Sequence, residues 1–367
     1  MKAVLFSDTP ETYAGTRSRV LKFASLLVED GHRCIVCLPF DGKTRARLWE
    51  DRPPLSKVRY LVLLFLLRCW QLRHVIGADA VFVHRRIFPY GPPLFERLAW
   101  LFNRRLIVDL DDAVWYPAGY VSSPFMRLVD HGWARKVCGF AAHVIAGNRY
   151  IEEYTRQFCA HVTIIPTCVD MSTHTEKDYT PKSRDEPVIL GWTGLWTNLG
   201  YMEVIEDVLR RLAARHSIVL SIASSRDYRL DGVPVVNHRW VLSHEIDYLK
   251  EPDIGLMPLT NTERAQGKCA YKALEYMAVG TPCVISPVGM NREIIEDGVN
   301  GFLADTPQEW EEKLERLILD AVLRQRLGRA ARETVAAHYA HDVHFQGWKH
   351  VFEQVAGLGS RARHAHE

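Results

Sequence analysis

Short apolar strands alternate with amphipathic helices along most of the chain, and this alternation restricts the fold more than any other feature of the sequence. In the first half, helical sequence separates strand-like segments, among them KAVLFSD, DAVFVH, RRLIVDL and AHVIAG. Two neighbouring parallel strands need a long crossover between them, which is usually a helix. The pattern therefore predicts an α/β fold in which helices cover parallel sheets.

The alternation lapses once and then starts again. The segment Met171–Pro187 is polar, contains two prolines and has no apolar periodicity, so we interpret it as a linker. Beyond it lie VILGWTG, a helical stretch over Met202–Arg215, IVLSIAS, VPVVNH, DIGLMPL and PCVIS. The length of 367 residues also fits two domains, at about 150 residues per domain.

We therefore predict two similar Rossmann-like domains, each with its own core. The predicted parts are an N-terminal domain over 1–170, the linker over 171–187, a C-terminal domain over 188–340, a C-terminal helix over 341–357 and a disordered tail over 358–367. We expect the C-terminal helix to pack back on the first domain. The tail SRARHAHE has no apolar face to bury.

The composition narrows the function classes. Hydrophobic residues make up 47% of the chain and charged residues 25%, which is typical of globular proteins. The net charge of +2 argues against nucleic-acid binding by the chain as a whole. The charge is uneven, because residues 43–105 hold 13 Lys and Arg against 4 Asp and Glu, a net +9, and the rest carries −7. This basic part suits an anionic partner or a membrane face.

The sequence favours a cytoplasmic protein. The chain opens directly on a strand, so we predict no signal peptide. The longest apolar run, Tyr60–Leu67, has eight residues, whereas a membrane span needs about 20. The eight cysteines are scattered, and Cys34 and Cys37 lack the second pair that a zinc site would need. We therefore expect reduced thiols, with a position at the inner face of the membrane left open.

The segment Lys57–Arg73 combines an apolar stripe with basic residues such as Arg59 and with Trp70. Two interpretations stay open. A helix packed on the N-terminal domain would bury the stripe. A helix in peripheral contact with an anionic membrane would expose the stripe beside its cations.

The stretch GKCAYKALEYMAVGTPCV, from Gly267 to Val284, places charged residues beside an apolar run. We predict a helix there from about Ala270 to Val279. Lys268 then lies near the helix N-terminus, where a cation is unfavourable by roughly 0.3–1 kcal/mol unless an anion is bound. Lys272 and Glu275 share one helix face, so the stretch is either a surface ion pair or part of a phosphate site.

The residues that follow carry a resemblance. Residues 272–304, KALEYMAVGTPCVISPVGMNREIIEDGVNGFLA, resemble the donor-binding half of retaining glycosyltransferases of the GT-B fold, family 4 (glycosyl transferases group 1). Weaker similarity lies in RLIVDLDDAVW, VIAGNRYIEEY and IIPTCVD. The resemblance implies two Rossmann-like domains facing a central cleft. It also implies sugar transfer with retention of configuration, in bacterial glycan, glycolipid or glycoconjugate biosynthesis.

The same resemblance implies the partners. The donor would be a nucleotide sugar, most simply a UDP- or GDP-sugar, and the acceptor a glycan, a lipid-linked sugar or a small molecule. No further cofactor and no metal ion would be needed, because lysines would supply the positive charge. A donor phosphate oxygen would take the acceptor proton.

The resemblance assigns the donor to the second domain. Family members carry a Glu-x7-Glu pair whose second glutamate binds the ribose; Glu275 matches it, whereas Gly267 stands in place of the first. The loop GWTGLWTNLGY lacks the basic pair that neutralises the leaving diphosphate in the family. The groups then expected at the donor are the cations Lys268, Lys272 and Arg264, the hydrogen-bonding groups of Thr193, Gly194 and Asn198, and the loop glycine Gly289.

The resemblance assigns the acceptor to the first domain. The loop SDTPETYAGTRSR corresponds to a glycine-rich loop that approaches the donor phosphates and the acceptor, and Gly15 and Thr16 are its matches. Arg17 and Arg19 follow at a helix start. They are either ligands of an anion on the acceptor or solvated arginines.

Two strand ends add acceptor-side candidates. His84 and Arg85 end VFVHRR, where a packed structural histidine is the equal alternative. Asp111 lies where many family members place an active-site histidine, so we expect it to accept a hydrogen bond from the acceptor hydroxyl or to orient a sugar. Asp109–Asp111 also has the Asp-x-Asp spacing of a metal site in another glycosyltransferase fold, but that site belongs to a single-domain architecture. The catalytic residues so predicted are Asp111, Lys268 and Glu275.

Two other functions stay open. One is a GT-B-like sugar-nucleotide epimerase, or a transferase with a non-sugar acceptor, for which Gly267 in place of glutamate leaves room. The other is a catalytically silent nucleotide-sugar-binding scaffold.

Overall fold

The computed structural model describes residues 1–49, 53–117, 128–180, 183 and 186–357. They form two compact units. The first consists of Met1–Thr167 together with the chain from His344, and the second of Cys168–Val343. The tail for which we predicted disorder, 358–367, lies outside the described residues.

The first unit contains a parallel six-stranded sheet in the order β2-β1-β3-β4-β5-β6. Its strands are β1 (Lys2–Ser7), β2 (Arg33–Cys37), β3 (Ala80–His84), β4 (Leu106–Leu110), β5 (His143–Ala146) and β6 (Val162–Ile164). β1, β3, β4 and β5 lie in the segments that the sequence predicted as strands, and nearly all their residues are buried.

Helices separate these strands. They are α1 (Ala14–Thr16), α2 (Lys22–Glu29), α3 (Gly42–Leu48), α4 (Pro54–Gln71), α5 (Leu94–Phe102), α6 (Trp133–Cys138) and α7 (Arg149–Thr155). A π-helical turn, Arg17–Leu21, joins α1 to α2, and a 3₁₀ turn, Leu72–Val75, follows α4. A π turn adds a residue to the helical repeat and is frequent at functional sites.

The second unit contains another parallel six-stranded sheet, in the order β12-β11-β10-β7-β8-β9. Its strands are β7 (Val188–Thr193), β8 (Ile218–Ser224), β9 (Val235–Arg239), β10 (Ile254–Met257), β11 (Cys283–Ile285) and β12 (Phe302–Leu303). Its helices are α8 (Glu206–Ala213), α9 (Glu245–Lys250), α10 (Glu263–Gln266), α11 (Tyr271–Ala278), α12 (Asn291–Ile294), α13 (Pro307–Leu319) and α14 (Ala321–His338). The two sheets confirm the predicted α/β fold.

One predicted helix is divided. Over Met202–Arg215 the structure has the end of a 3₁₀ segment, Trp196–Val204, and then α8. The chain leaves helical geometry at Ile205, where φ is −122° and ψ is 3°. The hydrogen bonds change spacing at the same residue: the Ile205 N–H donates to the Met202 carbonyl three residues back at 3.0 Å, whereas the Leu209 N–H donates to the Ile205 carbonyl four residues back at 2.9 Å.

The segment that we interpreted as a linker is ordered over its first part. The Lys177 N–H donates to the Val279 carbonyl at 2.8 Å, and the Tyr179 hydroxyl donates to the Gly280 carbonyl at 2.6 Å. Residues up to 180 are thus held on the second unit, whereas 181–182 and 184–185 lie outside the described residues.

The last helix, α15 (His341–Ala356), completes the core of the first unit. The Trp348 ring stacks on Phe23 at 4.9 Å between centroids, and Phe352 stacks on Phe82 at 5.7 Å. All four side chains are buried. Aromatic pairs of this size contribute much of the burial energy of a core.

Each sheet reverses its strand order once. In the first unit the reversal lies between β1 and β3, and in the second between β7 and β10. Ligands of doubly wound sheets bind at the carboxyl ends of the strands beside such a reversal. The topology therefore points to one place in each unit.

Close backbone approach fixes α11 in the second unit. A Cβ on Gly255 of β10 would lie 2.7 Å from the Tyr276 ring, and one on Gly328 of α14 would lie 2.1 Å from the Gly280 carbonyl oxygen. Only glycine fits at both positions. α11 is therefore held between β10 and α14.

No helix in the described part of the chain is both long enough and apolar enough to cross a membrane.

Candidate functional site

In the first unit, polar side chains lie side by side at the carboxyl ends of β1, β3 and β4. Ser7 pairs in register with His84, and His84 with Asp109. His84 Nδ1 lies 2.8 Å from Asp109 Oδ2, and both side chains are fully buried. We call His84, Asp109, Gly15, Arg85 and Asp111 the β3–β4 cluster.

A buried arginine neutralises the centre of this cluster. Arg19 Nε donates to Asp109 Oδ2 at 3.1 Å, and its Nη2 donates to Oδ1 of the same carboxylate. Its Nη1 donates to the carbonyls of Ile165 and Pro166 at 2.7 and 2.8 Å. The arginine is 1% exposed. The prediction that Arg19 faces an anion on the acceptor is therefore corrected: the π turn directs its side chain into the sheet.

A second ion pair lies beside the first. Arg85 Nε and Nη2 donate to the two oxygens of Asp111 at 2.5 and 3.0 Å, which is the bidentate geometry of a strong pair. Burial raises the pKa of Asp111, but Arg85 and then His84 outweigh it, so the pKa lies well below its usual range. Asp111 is therefore ionised at neutral pH, and it can accept hydrogen bonds but is a weak base.

The backbone of Arg85 is strained. Its φ is +57°, in the left-handed region that residues other than glycine seldom adopt. Its N–H donates to the Asp109 carbonyl at 2.8 Å, which holds this conformation. Strain of this kind costs about 1–3 kcal/mol and is concentrated at functional sites.

Gly15 provides the space above the cluster. A Cβ at this position would lie 3.2 Å from His84 Nε2 and 3.3 Å from Asp111 Oδ2. His84 Nε2 is buried and makes no hydrogen bond to any described residue. A larger residue in place of Gly15 would press on both groups.

In the second unit, the group at the carboxyl end of β7 and the start of α11 is cationic and aromatic. Lys272 Nζ lies 3.7 Å from the centroid of the Trp192 ring, and Lys268 Nζ lies 5.6 Å from that of Tyr201. A Cβ on Gly194 would lie 3.2 Å from Lys272 Nζ. We call this group, with Glu275, the α11 cluster, defined by Trp192, Gly194, Tyr201, Lys268, Lys272 and Glu275.

The two lysines of this cluster disfavour each other's charge. Burial lowers the pKa of Lys272 well below its ordinary value, and Lys268 lowers it further, while Glu275 acts in the opposite direction. Glu275 lies one helical turn from Lys272 and is buried. An anion placed between the two ammonium groups would relieve the repulsion.

The backbone before α11 turns sharply. α11 begins at Tyr271, and its N-cap residue, Ala270, has a φ of +52°. Lys268 stands two residues before this cap, close to the predicted place. Strain at a buried alanine is again of the kind found at binding sites.

The structure reveals residues that the sequence analysis did not select. Trp192 and Tyr201 lie against the two lysines. Asp109 links His84 to Arg19. Two signals were available: the aromatic residues of GWTGLWTNLGY at and after a strand end, and the two-residue spacing of Asp109 and Asp111, which places both on one side of an extended chain.

Comparison with known proteins identifies a domain in the second unit. The family model "Glycosyl transferases group 1" matches residues 186–320. Over 93 residues the chain is 32% identical to D-inositol 3-phosphate glycosyltransferase of Nocardioides sp., and over 92 residues it is 29% identical to spore coat protein SA of Bacillus subtilis. These matches cover 25% and 24% of this chain and only 19% and 22% of those proteins, so the chain spans about a fifth of the length of either.

Solved structures match over nearly the whole chain. Sucrose-phosphate synthase of Thermosynechococcus elongatus gives a TM-score of 0.65 at 14% identity, covering 97% of this chain and 99% of that one. Anabaena HepE in complex with UDP-glucose gives 0.64 at 16% identity, covering 98% and 99%. The fold is GT-B. The second unit of this GT-B chain carries a group 1 glycosyl transferase domain.

The predicted residues of this GT-B chain do not all lie in the two clusters. The Thr16 hydroxyl hydrogen-bonds to Ser7 Oγ at 2.8 Å and supports the loop instead. Arg17 donates to the Thr12 carbonyl at 2.8 Å. Thr193 ends β7 next to Gly194 and is buried.

The remaining donor-side candidates lie in α10 and in the segments that follow β7 and β11. Arg264 is a half-buried residue of α10, and Asn198 lies in the 3₁₀ segment after β7. Gly289 has a φ of +53° and donates its N–H to Gln266 Oε1 at 3.0 Å. A Cβ there would lie 2.5 Å from the Gln266 carbonyl oxygen, so glycine is required by the approach of this loop to α10.

Among the described residues, no three His, Cys, Asp or Glu side chains converge to hold a metal ion.

Proposed function

We propose that the chain is a glycosyltransferase that moves a sugar from a nucleotide-sugar donor to an acceptor hydroxyl. The observation that carries the proposal is the paired cations of the α11 cluster, at the strand-order reversal of a group 1 glycosyl transferase domain. Two neighbouring lysines that disfavour each other's charge, beside a glycine backbone, suit the diphosphate of a nucleotide sugar.

The α11 cluster would divide the donor between its residues. Lys268 and Lys272 would hold the diphosphate, and Glu275 would accept hydrogen bonds from the ribose hydroxyls. Gly194 would let the diphosphate approach the backbone at the end of β7. With two lysines supplying positive charge, no metal ion would be needed at the leaving group. The complex of HepE with UDP-glucose makes a UDP-sugar the first donor to test.

The β3–β4 cluster would serve the acceptor. Asp111 is held ionised by Arg85, so it would orient an acceptor hydroxyl by accepting a hydrogen bond and would not remove its proton. In the reaction that we propose, the acceptor oxygen forms the new bond to the anomeric carbon while the bond to the donor phosphate oxygen breaks. That phosphate oxygen takes the acceptor proton on the same face, and the configuration is retained.

The test is incubation of the protein with UDP-, GDP-, ADP- and TDP-sugars, with free nucleotide and intact donor measured separately. Slow release of nucleotide supports a transferase, because water replaces the missing acceptor. An isomer of the intact donor would instead identify an epimerase. Binding without turnover for every acceptor supplied would identify a scaffold. Once an acceptor is found, NMR of the product anomeric carbon tests retention.

A further inference from the structure

Helix α4 differs from an ordinary surface helix, because two of its four buried side chains are polar and most of its exposed side chains are apolar. Its buried side carries Tyr60, Leu64, Arg68 and Gln71. Arg68 is fully buried and donates to the carbonyls of Cys37 and Ser7 at 3.0 and 2.5 Å, so polar groups anchor this side. A surface helix normally places its polar residues outward and its apolar residues inward.

The outward side of α4 is apolar. Leu55 is 80% exposed, Val62 55%, Leu66 58% and Trp70 54%. Val58, Leu63 and Phe65 are exposed as well. We call these seven residues the α4 face. At 3.6 residues per turn they occupy an arc of about 160°, and the helix is about 27 Å long. Contiguous exposed apolar surface of this extent marks an interaction site.

Cations accompany the α4 face. Arg59 is exposed within the same arc, and the exposed Arg73 places its guanidinium 3.7 Å from the centroid of the Trp70 ring. The sequence from 43 to 105, which contains α4, carries a net charge of +9 in a chain whose total is +2. The surface thus combines apolar residues for insertion with basic residues for an anionic partner.

We propose that the α4 face docks on an anionic lipid bilayer, with its apolar side chains inserted to the level of the headgroups. Apolar residues in an arc along a helix, flanked by Lys and Arg, are what an interfacial helix needs. A second copy of the chain fits less well, because a symmetric contact through this face would bring the exposed Arg59 and Arg73 of the two copies together. The proposal does not depend on the proposed transferase activity.

The experiment is co-sedimentation of the protein with vesicles of phosphatidylcholine alone and of equimolar phosphatidylcholine and phosphatidylglycerol. We expect binding to the anionic vesicles, weakened by 0.5 M salt because exposed charges are then screened. Val62→Gln/Leu66→Gln should weaken binding about tenfold or more through lost apolar insertion. Arg59→Glu/Arg73→Glu should weaken binding to the anionic vesicles chiefly at low salt.

The matched control is Leu319→Gln/Val322→Gln, which changes two residues of the second unit that are 70% and 76% exposed. It should bind like the wild type. All variants change exposed residues, and thermal unfolding checks that each is folded. Light scattering after gel filtration measures the oligomeric state, and so tests whether a second copy of the chain occupies the α4 face instead.

The proposal is overturned if the wild type sediments with neither vesicle, or if Val62→Gln/Leu66→Gln binds as tightly as the control. It is also overturned if the wild type is a stable dimer that this variant converts to monomers, which would make the α4 face a protein interface. If the protein bound vesicles as expected but turned over no sugar donor, the result would contradict only the proposed transferase activity.

Discussion

The β3–β4 cluster and the α11 cluster occupy equivalent places in two similar sheets, yet their electrostatics differ. In the first, each carboxylate already faces an arginine: Asp109 faces Arg19, and Asp111 faces Arg85. In the second, two lysines disfavour each other's charge. The carboxylates of the first cluster are thus neutralised without a ligand, whereas the second cluster gains from an anion. We infer that the first cluster provides rigid geometry and that the second responds to binding.

The largest expected effect is on stability, in the β3–β4 cluster. Asp109→Ala leaves the buried Arg19 without its carboxylate, and we expect the free energy of unfolding to fall by about 3–5 kcal/mol. Denaturant unfolding measures it. The control is Asp30→Ala, which removes the partner of Lys349 in a pair that solvent reaches (Nζ to Oδ2, 2.7 Å; the Asp30 side chain is 33% exposed) and should change stability much less. Equal losses for the two variants would contradict the structural role that we infer for the buried ion pair of the β3–β4 cluster.

The next effect is on binding, in the α11 cluster. Lys268→Ala should weaken nucleoside diphosphate binding about tenfold to a hundredfold, because a hydrogen bond to a charged group is lost, and should leave nucleoside binding unchanged. Calorimetry with UDP and uridine measures both. Lys250→Ala, in α9 of the same unit, controls for general loss of charge. A similar loss for UDP and uridine would remove Lys268 from the phosphate site.

A smaller and differently distributed effect is expected at Glu275. Glu275→Ala should weaken uridine and UDP binding by a similar factor, about tenfold, because both ligands carry the ribose. The same calorimetry applies, with Glu263→Ala in α10 as the control for a carboxylate outside the cluster. If only UDP binding fell, the ribose assignment would be wrong.

The smallest expected effect is the uptake of a fraction of a proton when UDP binds to the α11 cluster. Anion binding should raise the lowered pKa of Lys272, so UDP binding near or above that pKa should take up protons. Calorimetry in buffers of different ionisation enthalpy detects this uptake, and Lys272→Met should abolish it.

The pH dependence of stability gives an independent check on the lowered pKa of Lys272. The pKa in the folded protein lies well below 10.5, so between the two values the unfolded state binds more protons, and the free energy of unfolding rises with pH. If the difference in the free energy of unfolding between wild type and Lys272→Met did not change with pH across that window, the lowered pKa would not belong to Lys272.

The sequence predicted the fold and the approximate position of each cluster. Strand-helix alternation identifies parallel sheets, and polar residues after a strand lie at its carboxyl end whatever the details of packing. His84, Arg85 and Asp111 therefore come together near Gly15, as do Lys272 and Gly194 in the second unit. The strand ends follow from this pattern, whereas Gly15 and Gly194 were candidates because of the resemblance to retaining glycosyltransferases.

The directions of single side chains could not be predicted in this way. Arg19 turns inward because a π turn changes the helical repeat, and no residue type specifies that turn. Trp192 and Tyr201 lie beside lysines that are distant in sequence, so their role depends on tertiary packing. The pairing of Arg85 with Asp111 depends on a left-handed backbone that an arginine seldom adopts.

The passage of α15 from the second unit into the first has a consequence for biogenesis. Trp348 and Phe352, which complete the core around Phe23 and Phe82, are among the last described residues of the chain. During synthesis the whole second unit emerges from the ribosome before these aromatic rings do. The first unit is therefore translated before most of the second but acquires its full core after it, and until then it exposes apolar surface that a chaperone can bind.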